Sequence, residues 1–326
     1  MDTKQQLLAY LEAHRGEYLS GETLAHQLHI SRTAVWKGIN ALKEAGYGIQ
    51  AVRNRGYCLD TEQDKLSLSG LTANLDEYGM SCQPEIHDCV TSTNALVRER
   101  AAAGAPEGLV ILANRQTAGR GRLGRTFYSP PDTGLYLSLL LHPQETLPVQ
   151  AARITTMAAL AACQAIEAVT QQQPQIKWVN DIFLEGKKVC GILTEGSFNL
   201  ETGQLDDVVV GVGFNVYPPA GGFPPEIAEI ADSILQKQHC GTKNKLAAAF
   251  LNFFFQIYRE RNDYAPAYRA RSMVIGKPIV VSTPTANRNA LALDIDRDCR
   301  LIVRYEDGSI ASLSSAEVSI RTEGMR

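Results

Sequence analysis

Gln116-Thr117-Ala118-Gly119-Arg120-Gly121-Arg122-Leu123-Gly124-Arg125 is the run on which the fold of this chain turns. Its three glycines fit the dinucleotide fingerprint G-x-G-x-x-G, which would make the chain a doubly wound nucleotide binder. That fingerprint must open a helix and be followed by an acid about twenty residues on. Here Pro130-Pro131 follow, and residues 135–141 have the apolar continuity of a buried strand. The match is rejected. What the run does supply is charge: Arg115, Arg120, Arg122 and Arg125, with no acid from Asn114 to Pro131. Glycines let the backbone wrap a ligand, and arginines offer planar donors to phosphate or carboxylate. With no internal counter-charge, the loop is expected to be flexible until an anion enters. A solvated basic loop is the competing reading, and it fits this interleaving poorly.

Around the run, short strands and helices mix. Strands are expected at 84–89, 108–113, 135–141, 175–178, 188–195 and 206–213, and helices at 93–103, 149–171, 243–260 and 264–271. Ser92-Thr93-Asn94 follows a strand and begins a helix, so it reads either as a cap or as hydroxyl and amide groups for a polar ligand. Lys177-Trp178-Val179-Asn180-Asp181 ends a short strand, where a buried lysine implies an anionic partner. Gly186 to Leu193 reads as a hairpin turn entering a core strand, and Gly191 leaves room for a flat ligand. Gly211 and Gly213 fall on one side of the next strand. Residues 216–241, rich in proline and glycine, read as a long loop of the functional or mobile kind.

Residues 1–60 form a different unit. Leu7, Leu8 and Leu11 give a helical stripe, Ser20 opens a second helix with Leu24, Ala25 and Leu28 on one face, and Ser31 caps a third. That third helix turns Val35, Ile39 and Leu42 inward, and Gly46 stands where a left-handed C-cap needs glycine. A hairpin around Arg53-Asn54-Arg55-Gly56 completes the order of a winged helix-turn-helix. The outer face of the third helix carries Thr33, Trp36, Lys37 and Asn40, groups suited to base edges and phosphates in a major groove. Between Ser31 and Tyr57, Arg32, Lys37, Lys43, Arg53 and Arg55 face a single acid, Glu44. The alternative is a solvated face of a protein-interaction module. His26 and His29 hint at metal but read better as helix surface. Residues 60–64, DTEQD, read as a linker, and from Gly276 short β-runs separated by turns suggest a small β-barrel.

Composition agrees with this division. A chain of 326 residues has room for two or three domains, and 44% apolar with 21% charged residues is ordinary for a soluble protein. A net charge of −3 excludes a uniformly basic nucleic-acid binder but not a small basic module. No apolar run reaches the ~20 residues of a membrane span, and no targeting pattern opens the chain, so a cytoplasmic location without membrane is expected. Seven scattered cysteines without a C-x-x-C pair are expected as reduced, buried thiols.

Together these motifs resemble the bifunctional biotin protein ligases that also repress biotin operons. The resemblance covers essentially the whole chain. Its most specific part is the Gly119 to Arg125 run. Ser92-Thr93-Asn94, Lys177-Trp178-x-Asn180-Asp181, Lys188-x-x-Gly191-Ile192-Leu193 and Gly211-x-Gly213-x-Asn215 follow in the family's order. The resemblance implies an α+β multidomain protein. Its parts are a winged helix-turn-helix at 1–62, a mixed α/β ligase domain of class II synthetase type at 66–272, and a small SH3-like β-barrel at 273–326. It further implies ATP, Mg2+ and biotin, a carboxyl carrier protein as acceptor, operator DNA, and a ligand-promoted homodimer with biotinyl-5′-AMP as corepressor. Lys177, Arg120 and Arg122 are then catalytic. Ser92, Thr93, Asn94, Gln116, Gly119, Gly121, Lys188, Gly191, Gly211, Gly213 and Asn215 join them in binding biotin or adenylate, while Arg32, Thr33, Trp36, Lys37, Asn40, Arg53 and Arg55 bind DNA. Asn180 or Asp181 is expected to help place Mg2+. Val179 stands where many relatives have proline. Neither tryptophan, Trp36 nor Trp178, lies in 216–241, so Tyr217 or Phe223, with Phe223 preferred, is expected to stack on adenine. A ligand sensor without ligase activity and a lipoate ligase of related fold are the alternatives. The intact arginine run and Lys177 oppose the first, and the DNA-binding module opposes the second.

Overall fold

The computed structural model describes residues 3–143, 149–198, 205–260, 262–283, 286–314 and 316–320. Helices Thr3–Ala13, Gly21–Gln27 and Arg32–Glu44 and the hairpin Ile49–Val52 with Gly56–Leu59 form the first unit. Its core is its own: Leu7, Leu8, Leu11, Leu24, Val35, Ile39, Leu42, Ile49 and Leu59 pack together. The caps follow the sequence. Ser20 and Ser31 accept hydrogen bonds from the amides of Thr23 and Ala34, each satisfying an N-terminal N–H that has no partner inside its helix. At the hairpin, Gly56 has φ 103°, and a Cβ there would lie 2.1 Å from the Leu19 carbonyl oxygen, so only glycine fits.

A seven-stranded sheet carries the centre. Its strands run in the order Gln83–His87, Leu109–Ala113, Gly134–Leu141, Leu205–Asn215, Lys187–Phe198, Asp181–Leu184 and Gln175–Lys177; the first pair is parallel and the rest antiparallel. Side chains alternate between faces along a strand, and the two faces are used differently. Leu135, Leu137, Leu139, Val208, Val210, Val212 and Phe214 turn to one side. There the helices Val149–Thr170 and Thr242–Glu260 bury their apolar stripes against them. On the other face, helix Thr93–Ala102 packs Val97 with Leu109, Ile111, Leu140 and Val209. The same face carries Ser138, Gly211, Gly213 and Gly191, in directly paired positions: Ser138 opposite Gly211, Gly213 opposite Gly191. Small residues here leave a hollow where the neighbouring rows are filled.

The third unit is a five-stranded antiparallel sheet in the order Ile310–Leu313, Leu301–Tyr305, Asn287–Ile295, Pro278–Ser282, Glu317–Ile320. Ile279, Val281, Ala292, Leu301 and Val303 join the central core rather than forming a separate one. The expected barrel bounds, 273–326, run beyond the described residues, which end at Ile320.

Several expectations need correction. The 60–64 segment is not a solvated linker throughout, because Asp64 is buried. The segment after Asn215 is not structureless: Pro225–Ala228 makes a helical turn, and Ala231 forms a bridge with Lys188. Strand Asp181–Leu184 and helix Leu68–Thr72 were not expected; Ser67 caps that helix through the Gly70 amide. Among the thiols, Cys89 is exposed and Cys240 half-buried. No described helix is long and apolar enough to cross a membrane.

Candidate functional site

The hollow on the small-residue face opens into a cavity of about 410 Å³, the size of a small-molecule site. Ser92, Thr93 and Asn94 reach it from the start of helix Thr93–Ala102, where Ser92 is also the N-cap. The cap reading and the ligand reading therefore apply to the same residue. Gln116 stands beside them, its Oε1 accepting from the Thr93 amide at 2.8 Å and its Nε2 donating to Ser129 Oγ at 3.0 Å. Gly191, Gly211, Gly213 and Asn215 line the floor. A Cβ on Gly213 would lie 2.4 Å from the Phe127 ring, and one on Gly211 2.0 Å from Asn94 Oδ1. Gly119 does not line the cavity. It is buried behind it, where a Cβ would lie 2.4 Å from the Phe127 carbonyl oxygen. Phe127 and Tyr128 form part of the wall and were not anticipated. An aromatic pair following a basic run carries no periodic signal.

Cations ring the other end. Arg120, Arg122, Arg125, Lys177 and Lys188 all line the cavity, while Arg115 does not. Lys188 Nζ lies 2.6 Å from Asp181, and a Cβ on Gly191 would meet it at 3.1 Å, so this ammonium sits against the glycine wall. Lys177 is half-buried, 5.7 Å over the Phe183 ring. Its segment is pinned from behind: Trp178 Nε1 donates to the Cys299 carbonyl at 2.9 Å, and the Tyr268 hydroxyl to the Val179 carbonyl at 3.1 Å. The arginine run forms a tight turn, with the Gly121 amide donating to the Arg125 carbonyl at 2.7 Å and Leu123 and Gly124 in left-handed conformation. It holds no counter-charge of its own, as expected. The partners come from far along the chain: Arg122 donates to Asn180 Oδ1 at 3.0 Å and to the Ala316 carbonyl at 3.4 Å, and Arg125 pairs with Glu317 at 2.8 Å. Proximity in sequence carries no sign of such contacts.

The fourth side is the 216–241 segment, which brings Phe223, Ile227, Ile230 and Ala231 to the cavity. Tyr217, one of the two residues expected to stack on adenine, is buried elsewhere. Its hydroxyl donates to Asp64 Oδ2 at 2.6 Å, and the same oxygen accepts from the Lys243 amide at 2.9 Å. Burial raises the Asp64 carboxyl above its ordinary value, raises the Tyr217 hydroxyl, and lowers the Lys243 ammonium. Residues near Asp64 also tie to the first unit: Ser67 Oγ donates to Glu12 at 2.6 Å, and Arg15 donates to the Asp60 carbonyl at 2.7 Å.

On the first unit, Arg32, Thr33, Trp36, Lys37, Arg53 and Arg55 are exposed, with Asn40 half-buried on the same helix as Trp36. Trp36 is 57% exposed, high for so large an aromatic group. Arg55 stacks 4.0 Å over the Tyr18 ring, and Arg32 pairs with Glu22 at 2.6 Å.

Residues 86–215 match the model of the biotin/lipoate A/B protein ligase family, residues 3–58 an HTH domain, and residues 274–321 a biotin protein ligase C-terminal domain. The chain is 33% identical to the bifunctional ligase/repressor BirA of Bacillus subtilis, over 97% of this chain and 98% of that protein. It is 25% identical to the protein of the same name from Escherichia coli, over 94% of each. In fold it is similar to a biotin protein ligase from Aquifex aeolicus in complex with biotin and ATP. The TM-score is 0.61 at 24% identity, covering 73% of this chain and 98% of that one.

Proposed function

Because the chain belongs to the biotin protein ligase family, in its ligase/repressor branch, we propose how its residues divide that work. The protein is a biotin protein ligase and a DNA-binding repressor. The observation that carries the chemistry is one cavity with hydrogen-bonding groups and a glycine floor at one end and five cations at the other. We assign residues 1–62 to DNA, 66–272 to catalysis, and 273–326 to the unit that braces the arginine run.

In the first step the biotin carboxylate attacks the α-phosphorus of ATP, forming biotinyl-5′-AMP and releasing pyrophosphate. Two anions must meet, so fixed positive charge is the main requirement. Lys177 and Lys188 neutralise the carboxylate and α-phosphate where they approach. Arg120 and Arg122 cover the mixed anhydride and exclude the water that would hydrolyse it. Ser92, Thr93 and Gln116 hold the ureido group, and Gly191, Gly211 and Gly213 give the fused rings a flat bed. Phe223 stacks on adenine. In the second step a lysine amine of a biotin carboxyl carrier protein attacks the anhydride carbonyl. An amide forms, AMP leaves, and the amine's proton passes to solvent.

The donor set does not make a metal cage. Asp181 is committed to Lys188 and Asn180, and Asn180 to Arg122 and the Ile192 carbonyl. Magnesium would therefore enter as part of the nucleotide substrate, held chiefly by its phosphates. Biotinyl-5′-AMP is the corepressor: it closes the arginine run and the 216–241 segment and favours a homodimer that presents two winged units to a split operator.

The test is to mix the chain with biotin, MgATP and an acceptor domain, and to follow pyrophosphate and acceptor mass together. The acceptor gains one biotin. Lys177→Ala abolishes pyrophosphate release, whereas Arg122→Ala releases free adenylate and lowers transfer. Full transfer by the Lys177 variant would remove its catalytic role.

A further inference from the structure

Behind the cavity wall runs a chain of hydrogen bonds whose direction is fixed at one end. Glu195, paired with Arg98 at 3.3 Å, is a carboxylate and can only accept. The Asn94 amide beside it must present Nδ2, at 2.8 Å, which turns Asn94 Oδ1 towards Ser138. That carbonyl oxygen also only accepts, so the single proton of Ser138 goes to it, across 2.6 Å. Ser138 Oγ then has only lone pairs left for Thr93 Oγ1, 2.7 Å away. The 2.7 Å contact therefore takes the Thr93 proton, and the longer outlet at Gln116 Oε1, 3.1 Å away, competes for it only if Ser138 is removed or turns its own proton to Thr93. So directed, the proton is used inside the protein, and Thr93 meets the cavity as a hydrogen-bond acceptor.

The neighbours come out the opposite way. Gln116 Oε1 is held by the Thr93 amide, so Nε2 points on to Ser129, whose own proton goes to the Phe127 carbonyl at 2.9 Å. One N–H of Gln116 remains for a ligand. Ser92 accepts from the Ala95 amide and keeps its proton to give. Two donors beside one acceptor are the complement of one edge of a cyclic urea, whose carbonyl takes two hydrogen bonds and one of whose two N–H groups gives one. Ser138 is fully buried and Asn94 nearly so, which keeps water from rearranging the chain. Gly211, opposite Ser138, is the position whose missing side chain lets Asn94 lie in this orientation.

We propose that Glu195 and Ser138 are specificity-determining positioning residues: they fix Thr93 as an acceptor and so select a ligand that offers an N–H there. The proposal rests on the biotin reading of the cavity. It is tested on the full chain by calorimetric binding of biotin and of its two cyclic carbamate analogues, each with one ureido N–H replaced by oxygen. An acceptor facing an oxygen is unpaired on both sides, so one analogue binds the unaltered chain at least about 100-fold more weakly than biotin. In Glu195→Gln the new amide can turn its NH2 to Asn94, the chain reverses, and Thr93 regains a proton to give. The ratio between biotin and that analogue then falls about tenfold or more. Ser138→Ala lowers it too, because the shorter of the two outlets for the Thr93 proton is gone. A merely structural role would weaken both ligands alike and leave the ratio unchanged. An unchanged ratio in both variants overturns the proposal while leaving the ligase reading intact. Absence of biotin binding to the unaltered chain overturns both.

Discussion

Tyr217→Phe removes a hydroxyl whose shortest hydrogen bond is buried, together with the longer one it accepts from the His239 amide at 3.3 Å, with almost no change in volume. The hydroxyl donates to Asp64 Oδ2 at 2.6 Å, and Asp64 is 4% exposed, so water cannot replace the lost donor. Leaving a buried charged acceptor without one partner costs about 1.5–3 kcal/mol. The Lys243 amide, at 2.9 Å, still serves the same oxygen, which places the expected loss near the lower half, about 2 kcal/mol. For a unit of roughly 200 residues that is a melting shift of about 4–8 °C. The pH dependence gives the sharper test. The Tyr217 hydrogen bond favours the charged carboxylate, while burial raises that carboxyl above 3.8. The loss is therefore full where Asp64 is ionised and shrinks as pH falls through the raised value, because a protonated carboxyl needs the donor less. Urea unfolding reads this through Trp178, buried in the central unit, with Trp36 exposed throughout as the reference. A loss below about 0.5 kcal/mol at pH 7.5, or one that stays constant as pH is lowered to the point of acid unfolding, would refute the reasoning.

On DNA, Arg53→Ala or Arg55→Ala should weaken binding across all sequences and lower the salt slope by about one, as phosphate contacts do. Substituting Trp36 or Asn40 should instead shift operator preference, seen as a changed order of affinities in gel shifts; equal losses on every sequence would move these side chains from bases to backbone. Sedimentation with and without biotinyl-5′-AMP should show ligand-promoted dimerisation, weakened in Phe223→Ala. An identical monomer–dimer constant with and without ligand would remove the corepressor assignment, since tight binding without preference for one state shifts nothing.

What was legible in the sequence had a local cause. The caps Ser20, Ser31 and Ser92 and the left-handed Gly46 are fixed by backbone chemistry within three residues of themselves, and each lies where it was read. Long strands were found because burial on both faces makes them continuously apolar, as in Gly134–Leu141. Strand Asp181–Leu184 was not, because it is only four residues long and only Ile182 is fully buried. Among the expected cavity residues, those inside recognisable motifs line the hollow, apart from Gly119 behind it. Phe127, Ile230 and Glu317 escaped because their place depends on packing between distant segments. Asp64 was misread for the same reason: an acid in a polar run looks solvated until Tyr217 and Lys243, over 150 residues away, close around it.

The brace on the arginine run sets an order of events during synthesis. Arg125 and its partner Glu317 are separated by 192 positions, and Arg122 reaches Ala316 across 194. A ribosome adding about 5–20 residues per second needs roughly 10–40 s to make the second partner after the first. Once Gly213 has been added, for roughly the last 5–20 s of that interval, the growing chain holds the glycine floor, Thr93, Gln116 and both lysines, yet nothing braces the cover. With the roles proposed above, such a nascent chain would meet biotin but not shield an activated intermediate from water. On the same roles, competence to keep the reactive anhydride arrives only when residues 316 and 317 have left the exit tunnel and docked. Until then any anhydride that the lysines help to form is lost to water.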